Sequence, residues 1–324
     1  MPKAVVCREL GPPEALRLEE IERKALKPGE VRVAIRAAGI NFPDILMCAG
    51  EYQLKPELPF IPGVEAAGEV IEIGEGVTGV RCGDRVIVKL RFGAYAEEVV
   101  VAASQLTPAP PNFDDAEAAT YLAGHGTAWH GLVERGGLKA GEVLLVHGAG
   151  GGVGLAAVEL GKYLGATVIA AASSEEKLAV ARQRGADHGI LTSAEPFRDA
   201  VKRITDGRGA DVVFDPVGGQ VFEDSVRCIN WGARLLVVGF TGGIGLARTN
   251  LILMKGASVI GVRAGEAVRR DPALGAQRIA ALLDLAAQGV LRPNVSHRLP
   301  LAEWAPAMRL LIDRKAIGRV ALLP

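Results

Sequence analysis

VLLVHGAGGGVGLAAVELGKYLGATVIAAASSEEK, running from Val143 to Lys177, reads as strand, glycine turn, helix and second strand. Near-continuous apolar strands such as VLLV and TVIAAA are what a parallel sheet covered on both faces requires. The G-x-G-x-x-G template places Ala149 first, Gly151 second and Gly154 third, so the strict pattern fails at one position. Alanine still fits a tight turn, while Gly151 lets the backbone approach a pyrophosphate and Gly154 lets the helix pack on the sheet. Gly150, Gly152 and Val153 complete the turn, and the helix that follows directs its N–H groups and positive end at that phosphate. Alone, such a turn could be a tight strand-to-helix connection; the strand before it and the helix after it favour nucleotide binding.

Folds of this kind that bind NAD carry an acid about 20 residues on, bonding the ribose 2'-hydroxyl. Here the second strand ends in Ala171, Ala172, Ser173 and Ser174, with Lys177 close behind. A carboxylate there would repel a 2'-phosphate; two hydroxyls and a lysine suit its nearly double charge, which favours NADPH. The plainer reading is that Ser174 caps a helix whose first turn holds Glu175 and Glu176, and that Lys177 is solvated. Both readings can hold together.

Outward from this unit, the strand-like runs DVVFDPVG (Asp211–Gly218), RLLVVGF (Arg234–Phe240) and SVIGV (Ser258–Val262) alternate with helical stretches, extending the doubly wound parallel sheet. Upstream the character differs. EVRVAIRAAGI, GEVIEIGEG, GDRVIVKL and AYAEEVVV are short runs divided by Gly and Pro turns, with Val31, Val33 and Ile35 expected on one face of a partly open barrel or sandwich. Helical runs within 273–291 and 301–314 precede a closing strand, GRVALLP.

At 324 residues the chain exceeds the usual size of one domain, and 49% apolar with 23% charged residues describes a globular protein. Lys plus Arg and Asp plus Glu both count 37, so no global basic field draws nucleic acid, and any anion must be held locally. Cys7, Cys48, Cys82 and Cys228 form no CxxC pair, which argues against a zinc knuckle or a disulfide framework. MPKAVVCREL lacks the features of a secretory leader and no apolar run reaches membrane-spanning length, so a cytoplasmic, membrane-free protein is expected. No G-x-S-x-G nucleophile elbow is present, which argues against a hydrolase.

Over nearly its whole length the sequence resembles the zinc-free quinone oxidoreductases, zeta-crystallin among them, of the medium-chain dehydrogenase/reductase superfamily. The stretches that carry the resemblance are AAGINFPDILMCAGEY (37–52), LPFIPGVEAAGEV (58–70), GDRV (83–86), GAGGGVG (148–154), DVVFDPVGG (211–219) and IGRVALLP (317–324). Zinc-dependent members carry Cys and His where this chain has Asn41 and Val64, and a four-cysteine lobe that is missing here, so the resemblance implies no metal. Without a Lewis acid the acceptor must itself be electrophilic: a quinone, or a double bond conjugated to a carbonyl.

The resemblance implies an α/β architecture in which a Rossmann sheet is joined to a GroES-like β-barrel catalytic domain. The expected division is about 1–124 for the first part of the catalytic domain, about 125–265 for the NADP(H)-binding domain and about 266–324 for the rest of the catalytic domain, with the site in the cleft. Asn41, Tyr52 and Arg263 match catalytic or substrate positions. Thr127, Val217, Phe240 and Thr241 match positions near the cofactor, and Ser173, Lys177 and Arg319 match the 2'-phosphate region. Tyr52 could instead be a half-buried anchor, and Asn41 a turn residue bonding its own backbone. Asp44 and Glu65 read as structural acids. Leu46 and Thr192 stand where related bacterial reductases have tyrosines. A homodimer through the last Rossmann strand is also implied. The expected function is an NADPH-dependent quinone or enone reductase acting on a small electrophile; the alternatives are an enoyl thioester reductase and an NADPH-binding structural or RNA-contacting protein.

Overall fold

The computed structural model describes residues 1–324. Its strands are β1 (Lys3–Val6), β2 (Arg17–Glu20), β3 (Glu30–Gly39), β4 (Glu65–Ile73), β5 (Arg85–Lys89), β6 (Glu98–Ala102), β7 (Leu106–Pro108), β8 (Val143–Val146), β9 (Thr167–Ala172), β10 (His188–Leu191), β11 (Ala210–Asp215), β12 (Ile229–Val237), β13 (Ser258–Gly261), β14 (Val295–Pro300) and β15 (Arg319–Leu323). The helices are α1 (Phe42–Cys48), α2 (Asp115–Trp129), α3 (Gly152–Tyr163), α4 (Glu175–Gln183), α5 (Phe197–Ile204), α6 (Gly219–Ser225), α7 (Thr249–Lys255), α8 (Ala264–Arg270), α9 (Pro272–Ala287) and α10 (Trp304–Ile312).

Two compact units result: Met1–Leu122 with Asn294–Pro324, and Ala123–Pro293. In the first, β3 is the hub of a seven-stranded sheet ordered β14-β15-β3-β4-β5-β7, with β6 pairing β3 as well. Val31 and Val33 join Val70, Val86, Val88 and Val101 in one apolar cluster, whereas Ile35 contributes to another with Ile40, Met47 and Phe60. The three buried residues thus feed two clusters that adjoin through Leu90 and Val99. Pairing with β4 is continuous from Val33 to Ile35; the extra residue of the first register shift, Ile71, lies in β4, and that of the second, Arg36, follows Ile35 in β3. Gly68 permits the close β3–β4 contact: a Cβ there would stand 2.0 Å from the Ala34 carbonyl oxygen.

In the second unit six strands run in the order β10-β9-β8-β11-β12-β13, every neighbouring pair parallel. The order reverses direction at β8, the topological switch point at which open α/β sheets bind ligands beyond their strand ends. Leu144, Leu145, Val146, Val212, Val213 and Phe214 in the two central strands are wholly buried. That is the physical reason these strands are apolar without alternation.

The expected return to the catalytic domain at residue 266 is corrected to Asn294. Helix α9 stays with the parallel sheet because Arg278, 3% exposed, reaches Glu134 through two 2.8 Å bonds and the Ala264 carbonyl at 3.3 Å. A buried guanidinium is tolerated only where such partners satisfy it, so these bonds commit the helix to the unit that supplies them.

Candidate functional site

The glycine turn lies at the C-terminal end of β8. Gly148 has φ +55, a conformation that glycine adopts without strain, and Gly151 N–H closes the turn on its carbonyl at 2.9 Å. A Cβ on Gly154 would stand 2.3 Å from the same carbonyl oxygen, so only glycine lets α3 begin this close to the strand. Ala149, where the template has glycine, is fully buried and bonds its N–H to the Ala171 carbonyl of β9 at 3.1 Å. No acidic residue occupies the first turn of α3, so its positive end is uncompensated by the chain itself.

Lys177 belongs to this turn as well as to its own helix. A Cβ on Gly150 would stand 2.6 Å from both Cβ and Cγ of Lys177, so the lysine's aliphatic stem lies across the turn. Its Nζ donates to the Ser173 hydroxyl at 3.5 Å. Ser174 is the N-cap of α4 and its Oγ accepts the Lys177 N–H at 3.4 Å, as the capping reading expected. A cation and two hydroxyls thus gather beside the phosphate cradle, and nothing anionic ends β9.

The neighbouring strand ends complete the rim. Val217 lies near Gly148, whose Cβ would approach Val217 Cγ2 at 3.4 Å, and near Gly242, whose Cβ would approach Cγ1 at 3.0 Å. Thr241 Oγ1 donates to the Pro216 carbonyl at 3.2 Å, tying the turn after β12 to the turn after β11. Phe240, 52% exposed, stands in the turn after β12. The residue that organises the turn after β11 was absent from the sequence-based set: Asp215 Oδ1 accepts the N–H groups of Val217 at 2.8 Å and Gly218 at 2.9 Å. Burial raises the Asp215 carboxyl above its ordinary range, and those two N–H donors oppose the rise. The D-P-V-G spelling was the available signal, since Asp bonding backbone two or three residues on makes an Asx turn.

Two expected residues make their side-chain polar contacts away from this rim. Thr127 Oγ1 donates to the Ala123 carbonyl within α2 at 2.7 Å. The Arg263 side chain is 64% exposed and faces Glu266 at 3.9 Å.

In the first unit, Asn41 caps α1 and sits in a buried polar cluster. Its Nδ2 donates to Glu65 Oε1 at 3.0 Å and to the Gly39 carbonyl at 3.3 Å, and its Oδ1 accepts from Arg319 Nη2 at 2.9 Å. Both amide N–H groups are engaged inside the cluster, which leaves none for a substrate. Arg319 is 6% exposed, and its guanidinium bonds Glu65 as well as Asn41. The expectation that Arg319 serves the 2'-phosphate is therefore corrected: its charge is spent on a buried carboxylate. Tyr52 is half-buried against the apolar cluster that contains Met47 and Phe60, and its hydroxyl has no partner within the chain.

Asp44 closes the cluster. Its Oδ2 accepts the Asn41 N–H at 2.8 Å and the Tyr95 hydroxyl at 2.9 Å, while Oδ1 makes no hydrogen bond. Burial pushes the Asp44 carboxyl up to about 7; the nearby Glu65 charge adds to the rise, and the Asn41 N–H, Tyr95 and Arg319 oppose it. Burial likewise raises the Tyr95 hydroxyl well above its ordinary value.

Comparison with known proteins agrees with this geometry. A family described as "Alcohol dehydrogenase GroES-like domain" matches residues 27–111, and one described as "Zinc-binding dehydrogenase" matches residues 152–287. Quinone oxidoreductase-like protein 2 of Rattus norvegicus is 38% identical over 322 residues, covering 99% of this chain and 91% of its own. A 2-haloacrylate reductase of a Burkholderia species is 33% identical over 338 residues, covering 100% and 99%. The structure of a mycobacterial protein complexed with NADPH superposes with a TM-score of 0.90 at 30% identity, covering 99% of this chain and 100% of that one. The chain belongs to the medium-chain dehydrogenase/reductase superfamily, among its quinone oxidoreductase-like members. It is accordingly an oxidoreductase with a nucleotide-binding Rossmann unit.

The zinc named in one of those family descriptions does not fit the residues present. Asn41 offers an amide, Val64 offers no donor, and the Glu65 carboxylate is occupied by Arg319. No group of three or more His, Cys, Asp or Glu side chains could hold a metal ion.

The Asp44 carboxyl sets a pH dependence. The folded chain holds this proton to about pH 7, whereas an unfolded aspartate releases it near about 3.9. The contribution is fully present in acid, below the unfolded value, and is lost as pH rises through that window. Asp44→Asn cannot titrate, so its melting temperature relative to the parent should climb between pH 4 and 7 and then level off. Thermal denaturation at stepped pH checks this; parallel profiles for the two proteins would show that Asp44 does not titrate there.

Proposed function

We propose that this chain is a zinc-independent, NADPH-dependent reductase that delivers hydride to a quinone or another electron-poor conjugated carbonyl compound. The observation that carries the reading is the stem of Lys177 lying across Gly150, which brings an ammonium and the Ser173 and Ser174 hydroxyls beside the phosphate turn. Lys177 and the two serines bind the 2'-phosphate, matching a group of nearly two negative charges with a cation and hydrogen-bond donors. The glycine turn and the α3 N-terminus bind the pyrophosphate. NADPH, when bound, supplies the hydride.

The acceptor follows from the donor set around Asn41. Residues that cannot ligate zinc leave the substrate carbonyl to be polarised by hydrogen bonds alone, so the acceptor must bring its own electrophilicity. The similarity to a protein named 2-haloacrylate reductase supports this, since an acrylate is a double bond conjugated to a carboxyl group. Tyr52, whose hydroxyl has no partner in the chain, donates a hydrogen bond or a proton to the oxyanion that develops. Leu46, half-buried and apolar where related reductases have tyrosine, supports a second reading, reduction of an enoyl thioester.

The Rossmann edge supports a homodimer: β13 is unpaired on one side, and Leu253, Met254 and Val259 are exposed at 80%, 69% and 40%. Val259→Lys should convert a dimer to monomer in sedimentation equilibrium. A parent protein already monomeric at micromolar concentration removes that reading.

Lys177→Ala should lower kcat/KM for NADPH at least about tenfold while leaving NADH nearly unchanged, a differential of about 1.4 kcal/mol. An unaltered NADPH to NADH ratio would remove the phosphate assignment. Stopped-flow oxidation of NADPH by a panel of quinones, enones and enoyl-CoA thioesters tests the acceptor. Quinones or enones should be turned over fastest, and a large preference for enoyl-CoA would establish the second reading. With the preferred acceptor, Tyr52→Phe should lower kcat by about a hundredfold or more at saturation if the tyrosine is the acid. Full turnover in that variant makes Tyr52 an anchor.

A further inference from the structure

Away from the glycine turn, the second unit has a pocket of about 250 Å³ framed by α5, the segment after α6, and α7. Four cations line it: Arg198 and Lys202 from α5, Arg227, and Lys255 from the end of α7. Val226, Leu251 and Met254 supply an apolar lining. Three separate elements thus bring like charges to one small concavity.

That convergence is unfavourable without an anion. Arg198 and Lys202 are four residues apart on one helix, a spacing at which like charges destabilise. Arg198 also stands in the first turn of α5, where the helix dipole disfavours a cation. Counter-charge within the chain is partial: Asp199 takes Arg198 Nε at 3.2 Å, and the Asp224 field also reaches Arg198. Lys255 Nζ donates to the Ile229 carbonyl at 3.1 Å, a neutral partner, and Lys202 and Arg227 pair with no carboxylate. The field of the cluster reaches the buried Cys228: burial pushes that thiol up to about 12, the Asp224 charge adds to the rise, and Lys202, Arg198 and Lys255 act in the opposite direction.

We infer that this pocket is a second anion site, distinct from the nucleotide turn, which takes a small phosphorylated molecule presenting two adjacent anionic groups, such as a diphosphate. Two arginine forks and two lysine ammonium groups match the oxygens of adjacent phosphoryl groups. The pocket is smaller than the cavities that enclose drug-sized ligands, about 300 Å³ and above, so a compact ligand fits better than a whole dinucleotide.

Inorganic pyrophosphate is the probe, titrated calorimetrically into the full chain at physiological ionic strength with the glycine turn saturated by NADP⁺. One saturable site is expected, weakened at least tenfold in Lys202→Gln/Arg227→Gln, two exposed positions whose neutral replacements should leave the fold and the NADPH-dependent rate unchanged. If the double variant were misfolded by circular dichroism, Lys202→Ala alone serves the same comparison. No saturable binding, or equal binding to parent and variant, overturns the proposal. Citrate bound more tightly than pyrophosphate overturns the phosphoryl preference, and an RNA oligonucleotide bound where pyrophosphate is not makes the patch a nucleic-acid surface instead.

Discussion

The close approach of α3 to the end of β8 is the constraint on which the second unit depends. A side chain on Gly154 would strike the Gly148 carbonyl at 2.3 Å, and one on Gly150 would strike the Lys177 stem at 2.6 Å. Because neither glycine carries a Cβ, the helix starts immediately at the strand end, its N–H groups face the turn, and a lysine from the next βα unit reaches over it. Packing and electrostatics are set by the same two absences. Gly154 faces backbone atoms that cannot yield, whereas Gly150 faces a flexible side chain that could move aside. The first glycine therefore protects the fold and the second protects the placement of a charge.

The first unit solves a different problem with a different device. Its buried cluster holds Asp44, Glu65 and Arg319, two acids and one permanent cation, with Asn41 bridging two of them. Two ionised carboxylates beside one guanidinium would leave a net buried charge. The rise in the Asp44 carboxyl is the physical answer, since a protonated acid removes the excess. The cluster then keeps α1 and β4 tied to the closing strand β15, and α1 leads into the loop that carries Tyr52. Asn41 and Arg319 thus hold the structure of the first unit, which is a role the sequence did not announce.

What was legible in the chain divides by the sequence separation of the partners. The β8-to-α4 segment was readable because everything that defines it, from apolar strand to N-cap serine to lysine, lies within Val143–Lys177. The fate of Arg319 was not, because Glu65 is 254 residues away and Asn41 278. An arginine in a terminal strand looks like an available cation until its partner is known. The same holds for α9: its own periodicity describes a helix, while its allegiance is decided by Arg278 bonding Glu134, 144 residues earlier. Arg36 shows the remaining limit, since simple alternation describes a regular strand and the register shift between Ile35 and Ala37 interrupts it.

The formal neutrality of the chain conceals how its cations are distributed. Arg319 and Arg278 are neutralised within the interior by Glu65 and Glu134, so they hold structure and attract nothing. Lys177 is placed beside a helix N-terminus whose first turn holds no acidic residue, so cation and dipole lie close together with the same sign. Arg198, Lys202, Arg227 and Lys255 form a third arrangement, gathered in a surface pocket with only partial counter-charge. A net charge of zero excludes a long-range field, since exposed charges are screened beyond about 8 Å at physiological ionic strength. It does not exclude strong local potentials, because a cluster smaller than that length is felt by a bound ligand in full. For this chain, the distance from each cation to its nearest carboxylate carries more functional information than the sum of the charges.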